Sequence, residues 1–431
     1  MLIKKENIGQ TFFFIGVFLL STTLVFSALF LIAASIIGSF SNRENYFKDN
    51  WNKSFFICGT LIFLSTIFQY FIFENPNPEI WDPSLSIIGL TNWLPFFWLF
   101  WGLQPYLNNK YKRRNLALIL ISSSFPVICT GFGQYFFNWS GPFELFNGLI
   151  VWYQKPIETT KSLTGLFSNQ NYAGCWLNFI WPFCLAFILE RNQAFLKKTI
   201  AFGFLISVGI ATFLTTSRSA WGGLLISLPL VIGSESLIWI IPLLLILVLF
   251  TFWIVSPLFS GDLQNFLREL INQDFWLRFS PEGYNQYRWQ DTRFAIILNA
   301  IKFSFIRPLI GLGAASFPII YEIKTNIWFG HPHNLILELA VSYGIPSAVI
   351  LSSTIFILMI ISGKILFNTP KDQTYLNLYD RAIWASIFFF LASQLVDVQY
   401  FDGKISIMAW ILLACLKNII EENKFNSELS Q

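Results

Sequence analysis

Long apolar runs constrain this chain more than any other feature. Stretches of about twenty predominantly apolar residues, the length that carries a helix across a bilayer, lie near 54–73, 86–103, 116–136, 170–189, 199–216, 219–235, 236–256, 333–362, 382–400 and 405–420. In hydrocarbon every backbone N–H and C=O must be satisfied internally, so such runs fold as helices. Only 12% of the 431 residues are charged, about half the usual share of roughly 25% in soluble domains. Aromatic residues make up 19%, a load that would aggregate in water. These features exclude a soluble enzyme, a disordered chain and a disulfide-stapled module. The expected class is an all-α polytopic membrane protein, with residues 1–431 forming a single membrane domain.

The opening stretch 11–40 is long for one helix and short for two. The placement of Lys and Arg decides between them, because short basic connections stay in the cytoplasm. The basic connections are 43–53, 110–114, 191–198 and 364–381. Keeping all four inside together with Lys4 and Lys5 requires an even number of crossings before Arg43. The stretch therefore reads as a tight helical hairpin, with Ser21, Thr22 and Thr23 near its turn. The result is about twelve transmembrane helices, each needing about twenty residues, with both termini in the cytoplasm.

In this register two polar segments face outward, 138–169 and the larger 257–332. The second is an inserted periplasmic loop with amphipathic helices, between the ninth and tenth spans. Outward loops on a compact bundle are where binding and chemistry concentrate. The net charge of +4 comes from scattered basic residues, which does not suggest nucleic-acid binding. Cys58, Cys129, Cys175, Cys184 and Cys415 lie within apolar runs as small hydrophobes.

Four groups of residues are candidates for chemistry. Arg218, in Ser217-Arg218, interrupts two apolar runs at an outward turn. An arginine near hydrocarbon is costly enough to suggest function, although it can also snorkel from a helix end. Arg288 and Arg293 precede a helical stripe at 294, 297, 298, 301 and 305, read as an amphipathic helix along the outer surface and stopped by Pro308. Either arginine could grip a diphosphate through forked hydrogen bonds. His331 and His333, the two histidines of the chain, stand at the mouth of a span, where a neutral-pH base belongs. With no clustered carboxylate or cysteine in sequence to complete a ligand set, no metal is expected. Asn171 starts another span, where it could cap the helix or contact a sugar, capping being the simpler role.

Taken in order, these motifs resemble the O-antigen ligase family of bacterial envelope glycosyltransferases, which includes O-antigen polymerases. The pattern reads here as Gly165-Leu166-Phe167-Ser168-Asn169-Gln170-Asn171, then Ser217-Arg218, then a large loop. The loop carries an arginine followed by Pro308-Leu309-Ile310-Gly311-Leu312-Gly313, and His331-Pro332-His333-Asn334 precedes the Gly344-Ile345 turn. The ligase-like core spans 160–360. Two arginines fit the loop position: Arg293 has the spacing to Pro308, and Arg288 has the Arg-Trp-Gln context.

The resemblance implies transfer of a saccharide from an undecaprenyl-diphosphate donor to an acceptor hydroxyl. The acceptor would be a glycan or lipid A core. The reaction would occur at the periplasmic face of the bacterial inner membrane, with inversion and without cofactor or metal. It assigns catalytic roles to His333, Arg218 and Arg293, and substrate contacts to Arg288, His331, Asn334 and Asn171. The competing class is a multispan transporter or flippase. Transporters commonly show inverted repeats or intramembrane carboxylates; no repeat is apparent, and the acidic residues lie mainly in loops, with Glu338 and Asp397 near span ends. Ligase and polymerase share a donor class, and the sequence does not separate them.

Overall fold

The computed structural model describes residues 2–72, 82, 84–191, 193–256, 261–270, 292–368 and 377–429. In chain order the helices are α1 (Leu2–Leu19), α2 (Leu24–Asn42), α3 (Asn50–Ile67), α4 (Ser84–Gly89), α5 (Leu94–Gly102), α6 (Lys110–Ser123) and α7 (Phe125–Phe137). A small hairpin follows, β1 (Phe143–Leu145) and β2 (Ile150–Trp152), antiparallel with Glu144 opposite Val151. Then come α8 (Ile157–Thr160), α9 (Gln170–Leu189), α10 (Phe195–Leu214), α11 (Arg218–Ile232), α12 (Leu237–Val255) and α13 (Asp262–Leu270). The chain closes with α14 (Arg293–Ser304), α15 (Ser316–Thr325), α16 (Leu335–Tyr343), α17 (Ile345–Phe367), α18 (Leu378–Ser393) and α19 (Gly403–Leu429).

Among the described residues, 9 helices are long and apolar enough to cross a membrane. Two shorter apolar helices accompany them, Asn7–Leu19 within α1 and Arg218–Ile232. Helix α18, with 16 residues, is nearly buried throughout. The opening stretch is a hairpin, as its basic flanks require: α1 turns into α2 at 20–23. Ser27 donates to the Gly16 carbonyl at 2.7 Å within the hairpin, and Ser21 donates to the Ser123 carbonyl at 2.6 Å, tying the turn to α6. The turn hydroxyls thus satisfy backbone groups that lipid would leave stranded.

The core lies around α9, α18 and α19. In the apolar 18-residue stretch of Gly403–Glu428, 94% of the residues are buried, and in that of Gln170–Leu189, 72%. In that of Ser234–Val255, which contains α12, only 11% are buried, so this helix faces lipid over most of its circumference. Charged side chains lock one end of this core. Arg113 forks onto Asp380 at 2.6 and 2.8 Å and reaches Glu422 at 2.6 Å. Arg114 binds Glu190 at 2.8 and 3.0 Å, and Lys417 pairs with Asp49. Buried charges of this kind persist because each has a partner. Helix α9 runs from the opposite end, at Asn171, down to Glu190.

Of the expected spans that are interrupted, two position the site. The run 333–362 divides at Gly344 into α16 and α17. Gly344 has φ +90°, and a Cβ there would lie 2.4 Å from the Leu309 carbonyl oxygen. Gly311, at φ +70°, meets the facing backbone of Ser342 just as closely, at 2.5 Å. The Pro-Leu-x-Gly-x-Gly and Gly-Ile motifs therefore form one backbone joint, closed by Ile345 N–H to Pro308 O at 2.7 Å and Leu312 N–H to Val341 O at 2.7 Å. The run 382–400 stops at Ser393, where Gln394 turns the chain. Its side-chain oxygen accepts from the N–H groups of Gln399 and Tyr400 at 3.1 and 3.2 Å. That turn presents Asp397.

Within the expected insertion 257–332, α13, α14 and α15 are described. Arg288, with its Arg-Trp-Gln context, lies outside the described residues. Four of the five cysteines are buried, Cys129 is exposed, and all are free thiols.

Candidate active site

Four chain segments meet at the end of the bundle away from the Arg113 network. Helix α9 begins there because Asn169 caps it, its side chain accepting from the Asn171 N–H at 2.7 Å. The cap is thus Asn169. Asn171 instead points its amide across the bundle, donating to Asp397 Oδ2 at 2.8 Å. Helix α16 begins at its own cap, Asn334, which accepts from the Leu337 N–H at 3.0 Å and donates to the Leu395 carbonyl at 3.2 Å. Asn334, expected to contact substrate, is engaged by the fold. It fixes the segment that carries the histidines.

His333 sits directly before this cap with φ +53°. Histidine is among the residues that adopt the left-handed region more readily, and here it makes a tight turn. The turn brings the His333 N–H onto Nδ1 of His331 at 3.2 Å, with the two rings edge to face at 4.6 Å. It also brings Nδ1 of His333 to 3.1 Å from Asp397 Oδ1. An ionised carboxylate only accepts, so Nδ1 is the donor of this hydrogen bond. Gln399 donates to Asp397 Oδ2 at 3.3 Å, and Gln394 donates to Gln399 at 2.6 Å. Asp397 is 7% exposed and Gln399 1%, so the carboxylate is held from behind while its ring partner remains partly open.

The electrostatics separate the two histidines. His331 is pushed down to about 4, first by burial, then by the charges of His333 and Arg293, against the pull of Asp397. It is neutral at pH 7. Burial works to raise Asp397, but the hydrogen bond from His333 and the charges of both histidines outweigh it, leaving the carboxyl below its ordinary value. Arg293 is close enough for its charge to act on His331.

Arg293 and Arg218 occupy equivalent positions, each the first residue of a helix. Thr292 caps α14, accepting from the Ala295 N–H at 3.3 Å, and Ser217 is the residue before α11. The first turn of α11 lies against α9: a Cβ on Gly174 would be 2.8 Å from Ala220 Cβ and 3.3 Å from Ser217 Cβ. Asn178 donates to the Ala220 carbonyl at 3.0 Å. The first turn of α11, which carries Arg218, therefore lies against the first half of α9. Both arginines are exposed. A cation at a helix N-terminus opposes the macrodipole by about 0.3–1 kcal/mol, and two of them at one end of the bundle suit an anionic ligand.

Nitrogens of His331 and His333 and a carboxylate oxygen of Asp397 lie within 4.8 Å of one another, an arrangement that could hold a metal ion. The sequence expectation of no metal rested on the want of a clustered carboxylate, and the fold supplies one. Nδ1 of His331 accepts from a backbone N–H, which leaves the proton on Nε2, the nitrogen facing Asp397 at 3.7 Å; ligation through Nε2 would require that proton to leave.

Sequence reasoning placed Asp397 near a span end but gave it no part in the site. Nothing in sequence spacing signals a partner 64 residues away. Only the polar cluster 393–399, closing an apolar run, marked the place.

Residues 200–352 match the family model described as O-antigen ligase. The match covers Arg218, Arg293, His331, His333 and Asn334, and it supports assignment to the O-antigen ligase and polymerase family. Asn171 and Asp397 lie outside it. No curated protein matches the chain.

Proposed function

From a family whose members handle lipid-linked saccharides in a membrane, we propose that this chain transfers a saccharide from an undecaprenyl-diphosphate donor to an acceptor hydroxyl. The observation that carries the reading is the His333–Asp397 contact at 3.1 Å, with the charge of Arg293 acting on the adjoining His331. In this reading α1, α11 and α18 cross along with the nine longer helices, giving about twelve spans of the length a bilayer requires. The basic network around Arg113 and Arg114 lies in the cytoplasm, and the histidine end faces the periplasm.

The chemistry follows from the groups at hand. The acceptor hydroxyl attacks the anomeric carbon of the donor sugar. Its proton passes to Nε2 of His333, while Asp397, hydrogen-bonded to Nδ1, holds the ring and stabilises the imidazolium. The bond from the anomeric carbon to the diphosphate oxygen breaks on the opposite face, giving inversion. Charge grows on the departing diphosphate, where Arg218 and Arg293 supply cationic stabilisation. His331 is neutral and adjoins the base. It shapes the pocket without competing for the proton, and no metal is required.

A deletion strain tests the reading. Loss of a surface polysaccharide with build-up of its carrier-linked precursor is expected. Polymer left on its carrier indicates a ligase, and a single-repeat product a polymerase. An unchanged glycan profile and unchanged carrier pool would contradict the proposal.

A further inference from the structure

Helix α14 has two apolar faces. Ile296, Ala300 and Phe303 pack against Phe317, Tyr321 and Val341. At about 100° per residue, Phe294, Ile301 and Phe305 stand on the opposite side, and they are 60%, 38% and 66% exposed. The same surface continues into Ile306 at 58% and Leu309 at 73%. An apolar stripe of this length is not left in water without a reason.

The two ends of α14 are tied to the two ends of α16, the second of them where α17 begins. Arg293, its first residue, acts on His331 just ahead of α16. After its last turn, Pro308 accepts from the N–H of Ile345 at 2.7 Å, and Ile345 opens the 23-residue span α17. The exposed stripe thus joins the lipid-facing surface of that span, where Val349 is 55% exposed. Lys302 and Lys324 edge the same region and are exposed. Lys324 runs over the Phe303 ring at 5.3 Å, as an amphipathic side chain does at a membrane boundary.

We propose that the Phe294, Ile301 and Phe305 face of α14 is seated in the interfacial layer of the bilayer, its partner being the acyl-chain boundary of the lipid. The helix lies in the membrane plane and holds Arg293 at the depth of lipid phosphates. That depth suits the lipid-linked donor proposed above, but the seating does not depend on it.

The test uses the full chain in phosphatidylethanolamine and phosphatidylglycerol vesicles, with Cys129 replaced by Ser. Nitroxide labels are placed singly at Phe294→Cys, Ile301→Cys, Phe305→Cys and Lys302→Cys. Collision rates with oxygen, which partitions into lipid, and with a water-soluble nickel chelate give the depth of each label without any activity measurement. Oxygen should dominate at 294, 301 and 305, and nickel at 302. Nickel dominance at 301 and 305 would overturn the proposal. Low rates with both reagents would overturn it equally, because the stripe would then be covered by protein. Each position is read separately, so one variant that fails to insert leaves two that decide.

Discussion

His333 and Asp397 stand 64 residues apart in sequence and 3.1 Å apart in the fold, joined through Nδ1 and Oδ1. That single contact determines which ring nitrogen is free to accept a proton, and the mechanism rests on it.

If Asp397 positions the base, Asp397→Asn should lower turnover by roughly a hundredfold to ten-thousandfold, the range for general-base catalysis and for amide substitution in other His–carboxylate pairs. An amide can donate to Nδ1 and so favour the tautomer that protonates Nε2. Donor KM should change little, and Asp397→Glu should recover part of the rate. A rise in KM with unchanged kcat would assign Asp397 to substrate binding instead.

Arg218→Ala should reduce transfer by about a hundredfold or more, the scale seen when a charge-stabilising group is removed, with normal protein levels in the membrane. Arg218→Lys should recover little, since it keeps the charge and loses the forked geometry. Full activity in both variants would return Arg218 to a snorkelling role.

Acid should loosen the site. His331 is neutral in the fold down to about 4 and titrates near 6.5 when unfolded. Between these values the unfolded chain takes up more protons, so stability falls as pH drops through that window, by up to ~3 kcal/mol. Asp397, held below its ordinary value, adds loss in the same direction as pH falls through its folded value. His331→Gln should flatten the decline of Tm between these two pH values, and an identical slope in the variant would refute the assignment.

Orientation is checked by labelling intact cells at single cysteines. Asn108 should be shielded from an impermeant reagent, and Phe143 should react. Both positions are exposed in the fold, so packing does not confound the result. Reaction at Asn108 would put the histidine end on the wrong face.

Much of this architecture was legible in the sequence because lipid imposes a simple rule on apolar length. The 11–40 hairpin followed from Lys4, Lys5 and Arg43 alone. What the sequence concealed depends on backbone joints and distant pairing. The run 333–362 read as one span although the resemblance put a turn at Gly344-Ile345, and the close approach of Gly344 to the Leu309 carbonyl explains the break. Asn171 read as a cap, a role that Asn169 fills two residues earlier. Asp397 sat in an apolar run, and only the Gln394 turn shows why a carboxylate is there. The arginines and histidines were visible because they interrupt apolar sequence, where charge and titratable rings need a purpose.

The most direct measurement is transfer by the purified protein from a synthetic polyprenyl-diphosphate saccharide to an acceptor glycan, with and without a chelator. Product should form at the same rate in both conditions. His333→Ala should lower the rate roughly a hundredfold or more, the usual contribution of a general base, while binding donor as the unaltered protein does. Loss of activity on chelation with recovery on adding a divalent metal, or a His333→Ala variant that keeps its turnover and loses donor binding, would contradict the account.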